Sequence, residues 1–535
     1  MAYLRIENKK SGSYLRIVKS YRKKGKVLQK TMFNLGKKED YSPEQLKRIG
    51  EKLYELGGGN IYHLFGKNIQ EVGRYNYGYF QFYSRALGHY GIKQLLDKVS
   101  KKNNLSFDLS NSVMLMLLER LHEPSSKRRN YFNQEEYLGI DNVELHHLYR
   151  SLDYLADNQS LIQDAIYHTG RNLFNQSLDV VFYDVTTFYF DTERKSELLQ
   201  HGFGKDGKIG KSQIVFSLLI DKNKQPISYE IYEGSFYEGY TFQDAVNKLK
   251  HKYNIDKVIV VADKGMMNKS NLSQLSEYDG FEFVIGERLR NLPEHIIGYL
   301  TDRKNYRNAG IISENNEEIN IEFTTIEYQG RKIIGTYSAK RAEKDRFDRA
   351  ERIEKGKKLL KSPSQLTKKA SRYYLEKAKQ DEYKLNEQRI ALDARFDGFT
   401  AIATNNKDQP ETLLLDHYKH LYQIEHSFRS FKSHLETRPM FHWTDKRIEG
   451  HICLCYIAYT LNIYAINKLK ENEIKMSEND LRRALDKMQV SHVKQDDDEY
   501  YMRSKSSKNI ENIIETFKLK KIPDILPKSQ LFNYL

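Results

Sequence analysis

Only two of the 535 residues are cysteine, Cys453 and Cys455. They stand one residue apart inside an apolar segment, a gap that suits neither a zinc pair nor a disulfide framework. They read instead as buried small hydrophobes, and a reducing, cytoplasmic setting follows. Long hydrophobic runs are scarce as well. The longest, Ile452 to Ile466, is broken by Thr460 and Asn462 and falls short of the roughly 20 residues that a spanning helix needs. No charged-then-apolar secretory leader opens the chain, so no membrane partner is expected. An obvious nucleophilic triad is also missing, which turns attention from covalent catalysis to the acids.

Acidic residues are outnumbered overall, with 87 Lys+Arg against 72 Asp+Glu and a net charge of +15. An excess of that size favours a polyanionic partner, nucleic acid first, with solubility as the plain alternative. The 39 Tyr and 25 Phe suit a large core and base-stacking surfaces equally well. The length allows roughly three or four domains.

Residues 1–65 begin with alternating basic and apolar positions, Tyr14 to Val18 and then Val27 to Phe33, around Lys23, Lys24 and Lys26. That pattern predicts a basic β-hairpin turning near Gly25. A solvated hairpin and a DNA-contacting one both fit, and the cations at the turn favour the second. Residues 66–178 change to helical periodicity. From 179 to 286 the order is strand, strand, strand, helix, strand, helix, strand, with a hairpin turning at Asp221–Pro226, helices near 240–252 and 268–278, and a final strand Phe281–Ile285. Residues 287–393 read as an insertion: loop, then β signals at Ile319–Thr325 and Lys332–Tyr337, then charged helix split at Pro363. Strand character resumes at Phe399–Ala403 within 394–470, and 471–535 forms a C-terminal region.

Three acids carry the chemistry. Asp184 lies in Val180–Phe190, a strand that reads as buried on both faces, where a charge costs several kcal/mol unless paired. Asp263 follows the run Val258–Ala262 and precedes Gly265. Ligands of open α/β sheets gather at such strand ends, although a turn residue is the bland alternative. Glu425 sits on a long amphipathic helix where Tyr418, Tyr422, Glu425, Arg429, Lys432 and Glu436 recur at helical steps on one face. A solvated face of paired charges is the competing reading. Three acids on separate elements suggest a divalent-metal site for phosphate chemistry.

These residues resemble the DDE transposases of bacterial insertion sequences, in the superfamily marked by Y-x2-R-x3-E-x6-K around the final acid. Tyr418, Glu425 and Lys432 fall at its spacings, whereas Leu421 occupies the Arg position. Asp263-Lys-Gly265, the stretch Gly204-Lys-Asp206 through Gln213, and Ile424–Arg429 through Arg438-Pro439, His442 and Arg447–His451 are similar to the 1634-type branch. The resemblance implies a mixed α/β, ribonuclease-H-like catalytic core with a β-plus-helical insertion before the last acid. It implies that Asp184, Asp263 and Glu425 hold two Mg²⁺ ions, with Mn²⁺ as a substitute, for cleavage and strand transfer at the element's ends. It further implies double-stranded DNA partners (terminal inverted repeats and target), a homodimer, and a nucleoid-associated cytoplasmic location. DNA contacts are then expected from Tyr418, Tyr422, Arg429, Lys432, Lys23, Lys24 and Lys26, with Arg429 in reserve for the missing Arg. The 1–65 hairpin and 66–178 helices become DNA-binding or positioning elements, and 471–535 a dimerisation region. A nuclease without strand transfer and a non-catalytic DNA-binding protein are the competing readings. The charged helix with Arg341, Arg346, Arg349 and Arg352 reads either as a clamp or as a self-paired solvated helix.

Overall fold

Alternation of basic and apolar positions makes most of the chain up to Lys37 extended, as the computed structural model bears out. It describes residues 2–535 apart from 24–25, 59–68, 171–179, 191–193, 203–210, 237, 254–257, 264–280, 307, 315–316, 361–372, 378–382, 436–441 and 496–497. The described chain forms two compact units, one of residues up to 74 with 490–503 and 523–531, the other of 75–489 with 504–522 and 532–535. Lys24, the helix expected near 268–278, Gly204–Asp206, Gly265, Pro363, Glu436 and Arg438-Pro439 lie outside the described residues.

In the first unit β1 (Ala2–Lys9), β2 (Gly12–Lys23) and β3 (Lys26–Lys37) form an antiparallel sheet, so the expected hairpin gains a third strand. Its register sets Lys19 opposite Lys30 and Lys23 opposite Lys26, all four exposed. A helix, Pro43–Leu56, follows from a capping box of Ser42 and Gln45. β4 (Ile69–Asn76) leads out of this region.

The second unit begins with helices, among them Gly78–His89, Leu109–His122 and Leu145–Asp157. Its sheet is built around β5 (Val180–Tyr189), which is buried along most of its length. The other strands are β6 (Gln200–His201), β7 (Ser212–Asp221), β8 (Pro226–Glu233), β9 (Val258–Ala262), β10 (Phe281–Glu287), β11 (Asn308–Glu314), β12 (Glu317–Tyr328) and β13 (Arg331–Tyr337). A small hairpin, β14 (Leu375–Lys377) with β15 (Tyr383–Leu385), stands apart from β16 (Phe399–Thr404). The order is β11-β12-β13-β16-β10-β9-β5-β7-β6, with β8 also on β7. β5, β9 and β10 are parallel neighbours, while β7, β8 and the β16-to-β11 side pair antiparallel.

The 287–393 segment, expected as an insertion, contributes strands to the main sheet. β11, β12 and β13 continue the sheet through β16, which pairs with β10 on one side and β13 on the other. An exposed β16 edge would leave backbone groups unpaired, and β13 satisfies them. Among the described residues of this segment, the helices Glu294–Thr301, Ala339–Leu360 and Glu387–Ala394, two short turns of tighter helix and the β14–β15 hairpin lie outside that sheet.

One face of the sheet carries Val181, Tyr183, Val185, Val260, Ala262 and Phe283 into a core with the Glu238–Tyr253 helix. The opposite face is aromatic. Phe216 of β7 lies 5.2 Å from the Phe188 ring and 5.4 Å from that of Phe431, and Tyr229 is 4.7 Å from Tyr456. Tyr456 belongs to the helix Asp445–Glu471, whose 27 residues include both free, buried cysteines. The apolar run alone is short, but polar residues at each end lengthen this helix enough to cross a membrane by length and composition. Yet 72% of its most apolar window is buried inside the protein. At Gly450 it meets the Leu145–Asp157 helix so closely that a Cβ would stand 2.0 Å from the Leu152 carbonyl oxygen.

The last strands, β17 (Gln489–Gln495), β18 (Asp498–Arg503) and β19 (Ile525–Pro527), form a sheet with β4 in the order β19-β18-β17-β4. Residues 471–535 are thus tied by strand pairing to a segment some 400 positions earlier.

Candidate active site

The sheet register places the first two acids. β5 and β9 run parallel with Val180 beside Ile259 and Tyr183 beside Ala262. The next residue of each strand is Asp184 and Asp263. Side chains two apart share a face, so Asp184 goes with Phe182 and Thr186, and Thr186 pairs across to Phe216. Phe216 packs 6.2 Å from the Phe428 ring on the Glu425 helix. Asp184 therefore belongs to the sheet face on which the Glu425 helix sits. It is half-buried, and its Oδ1 accepts the Val185 N–H at 2.7 Å. Asp263, past the end of β9, is exposed.

The expected single helix through Tyr418 and Glu425 is broken twice. Glu411–Lys419 ends in a turn at His420–Leu421, where Leu421 N–H bonds the Tyr418 carbonyl and Ile424 N–H that of Leu421, both at 3.1 Å. These three-residue steps tighten the chain, and His420 Nδ1 lies 2.7 Å from the Asp416 carbonyl oxygen, competing for it. Tyr422–Arg429 follows, then a π turn over Ser430–His434. Glu425 nonetheless projects from the outer face while Ile424 and Phe428 are buried.

Asp263, Tyr418, Tyr422 and Glu425 line one cleft of about 920 Å³, together with Arg341 of the charged helix. Burial and then the charge of Asp263 push the Tyr418 phenol up to about 12. Arg341 pulls it back and Glu425 adds to the rise. Tyr418 is thus within electrostatic reach of two of the three acids and of one arginine. Asp184, Arg429 and Lys432 are not among the described residues lining this cleft. Arg429 is exposed, and Lys432 is half-buried with interactions of its own. Lys23 and Lys26 belong to the other unit, at the tip of the β2–β3 hairpin.

Among the described residues no three His, Cys, Asp or Glu side chains stand close enough to hold a metal ion. The structure gathers Asp263 and Glu425 at one cleft and puts Asp184 and Asp263 each one residue past the paired positions Tyr183 and Ala262, without closing the three into a ligand cluster among the described residues. The donor set is all carboxylate oxygen, the type that hard divalent cations take. Carboxylates at ligand distance repel one another unless a cation is present.

Sequence reasoning read the charged helix as a clamp or a self-paired face but not its place here, where Ala339–Leu360 brings Arg341, Asp345, Asp348, Arg349 and Arg352 to the cleft at helical steps. The spacing was visible, but nothing in it says which neighbour that face meets.

Comparison with known families now bears on this arrangement. A family model described as "Transposase DDE domain" matches residues 175–461, more than half the chain, and spans all three acids. The chain is a DDE transposase. A second, "IS1634 family transposase, N-terminal domain", matches residues 4–59, the β1–β3 sheet and the helix after it, and places the transposase in that family. No curated protein matches the chain. DNA transposition is the activity that both families name, and the mixed α/β fold of the transposase accords with the DDE domain.

Proposed function

We propose that this transposase cleaves and joins DNA at the ends of its insertion sequence through Asp184, Asp263 and Glu425. One arrangement supports the reading: Asp184 and Asp263 each follow the last paired residues of neighbouring strands, Tyr183 and Ala262, and Asp263 and Glu425 line one cleft. The order β8-β7-β5-β9-β10, antiparallel through β5 and parallel beyond it, supports a ribonuclease-H-like core.

Asp184, Asp263 and Glu425 are the side chains that would hold divalent ions, Mg²⁺ or Mn²⁺ and two in number. When bound, such ions supply an activated attacking hydroxyl and stabilise the leaving oxygen. The chain's own part is positioning. Tyr418 offers a phenol that burial keeps protonated, and so a hydrogen-bond donor to a phosphate oxygen. Tyr422, exposed at the cleft, offers a ring for a base to stack on.

Arg429 and Lys432 extend a basic surface along the helix past Glu425. In the other unit, Lys19 faces Lys30 and Lys23 faces Lys26. Like charges opposite one another destabilise a sheet, and a phosphate backbone relieves them, so residues 1–65, Lys24 included, are assigned to DNA. Dimerisation through 471–535 and action on inverted repeats and target DNA complete the proposal.

Incubating the protein with Mg²⁺ and DNA bearing the element's terminal repeats tests it. Joining to a target is expected from the wild type. Asp184→Ala and Glu425→Ala should bind the ends and leave them uncut. Cutting without joining would reduce the reading to a nuclease, and binding alone would leave a regulator.

A further inference from the structure

We infer that Arg341 is the phosphate-gripping cation of this cleft, supplying from the Ala339–Leu360 helix the positive charge that Leu421 does not. The inference rests on the reading of Asp263 and Glu425 as catalytic acids and adds a positioning residue to it.

Four observations converge on Arg341. Leu421, where the resemblance calls for arginine, is 8% exposed and packed into the protein, so that position offers no cation. Arg429 is outside the described lining of the cleft. Of the other cations lining the cleft, Arg290, Arg349 and Lys419 are committed elsewhere; Arg288 and Arg352 are exposed along it, but the arginine whose charge acts on Tyr418 is Arg341. Arg349 is bound by both oxygens of Asp397, with Nη2 to Oδ2 at 2.6 Å. Arg290 is held by Asp393 and donates to the Tyr373 hydroxyl at 3.4 Å. Lys419 is engaged as well.

Arg341, by contrast, makes a single long ion contact among the described residues. Its Nε stands 3.8 Å from Asp345 Oδ2, with the guanidinium side chain 57% exposed. That same oxygen already accepts the Gly398 N–H at 3.0 Å. The contact orients Arg341 without consuming it.

Its mounting is rigid. Ser338 N–H bonds the Gly398 carbonyl at 3.0 Å, and Gly398 (φ +80°) has no room for a Cβ, which would lie 2.7 Å from Ala342 Cβ and from the Ser338 carbonyl. The first turn of the helix is thereby locked to the start of β16. From there the charge of Arg341 reaches Tyr418, the residue that also senses Asp263 and Glu425. A planar guanidinium so placed can grip two oxygens of a phosphodiester, which a lysine cannot do.

The test uses the full chain and terminal-repeat DNA. Arg341→Ala should slow strand cleavage at saturating DNA by roughly 100-fold, the order seen when one preorganised donor is lost. Lys344→Ala, exposed on the same helix, should cleave like wild type. Arg341→Lys should keep DNA binding and recover only part of the rate. Adding Leu421→Arg to Arg341→Ala should restore cleavage at least in part.

A second readout needs no metal: the slope of end-binding affinity against salt should fall by about one in Arg341→Ala. Cleavage within about twofold of wild type by Arg341→Ala, while Glu425→Gln is inactive, overturns the inference and leaves the acid assignment standing. Should the wild type itself fail to cleave, the acid reading falls, and an unchanged salt slope would still overturn the role of Arg341.

Discussion

Phe216 of β7 and Phe428 of the Glu425 helix meet edge to face, with ring centroids 6.2 Å apart and planes at 71°. This contact seats the helix on the sheet face that carries Asp184. Phe428 is 6% exposed, so Phe428→Ala should lower stability by about 3–5 kcal/mol. Urea unfolding followed by circular dichroism measures it. Cleavage should fall further than the folded fraction does, because the acid rides on the displaced helix.

Gly450 has no room for a side chain. A Cβ would approach the Leu152 carbonyl oxygen to 2.0 Å, and that partner is backbone in a neighbouring helix. Gly450→Ala should therefore cost about 1–3 kcal/mol or more by overpacking, although alanine is the better helix former. An unchanged unfolding midpoint would show that the two helices separate easily.

Acid should unfold the protein through the half-buried His442 and the buried His451. His442 and His451 lie 4.8 Å apart, with Arg120 and Lys127 close by. Burial first, then these cations and Arg447, hold His442 down to about 3. Burial, Arg120, His442 and Lys127 hold His451 well below the ordinary range. Their folded values lie beneath the unfolded one of about 6.5, so the unfolded chain binds more protons between pH 6.5 and 3. Stability should then be lost as pH falls through that window. In His442→Gln the slope of unfolding free energy against pH should be smaller there by up to about one proton.

Lys127 behaves oppositely in range but not in sign. Burial, aided by Arg120, brings its ammonium down to about 7, below the unfolded value of about 10.4. The unfolded chain binds the extra proton between those values, so stability should rise from pH 7 to 10. Lys127→Met should flatten that rise.

Both thiols are buried, and burial pushes Cys453 up to about 12. A thiolate reagent at pH 8 should therefore find neither cysteine in the native protein and both after unfolding. Rapid native labelling would contradict the buried placement of the Asp445–Glu471 helix.

Much of this architecture was legible in the sequence because it is local. Val180–Phe190, Val258–Ala262 and Phe281–Ile285 are strands because their apolar runs are, and the turn at Asp221–Pro226 announces its own hairpin. The hidden features depend on distant partners. Lys332–Tyr337 reads as a strand, but only β16 shows that it extends the main sheet. Ile69–Asn76 pairs with Gln489–Gln495, which no local pattern encodes. The break at His420–Leu421 falls within unbroken helical periodicity, so no local pattern announced it. Arg341 and Asp345 look like an ordinary four-residue pair, and only the packing of Gly398 beneath them shows that their face turns to the acids.

The central claim is that Asp184, Asp263 and Glu425 converge on shared cations. Titrating Mn²⁺ into the protein bound to terminal-repeat DNA, with free Mn²⁺ followed by electron paramagnetic resonance, tests it most directly. The account predicts two tightly held ions in the wild type and fewer in each of Asp184→Asn, Asp263→Asn and Glu425→Gln. Undiminished Mn²⁺ binding in all three variants would contradict it.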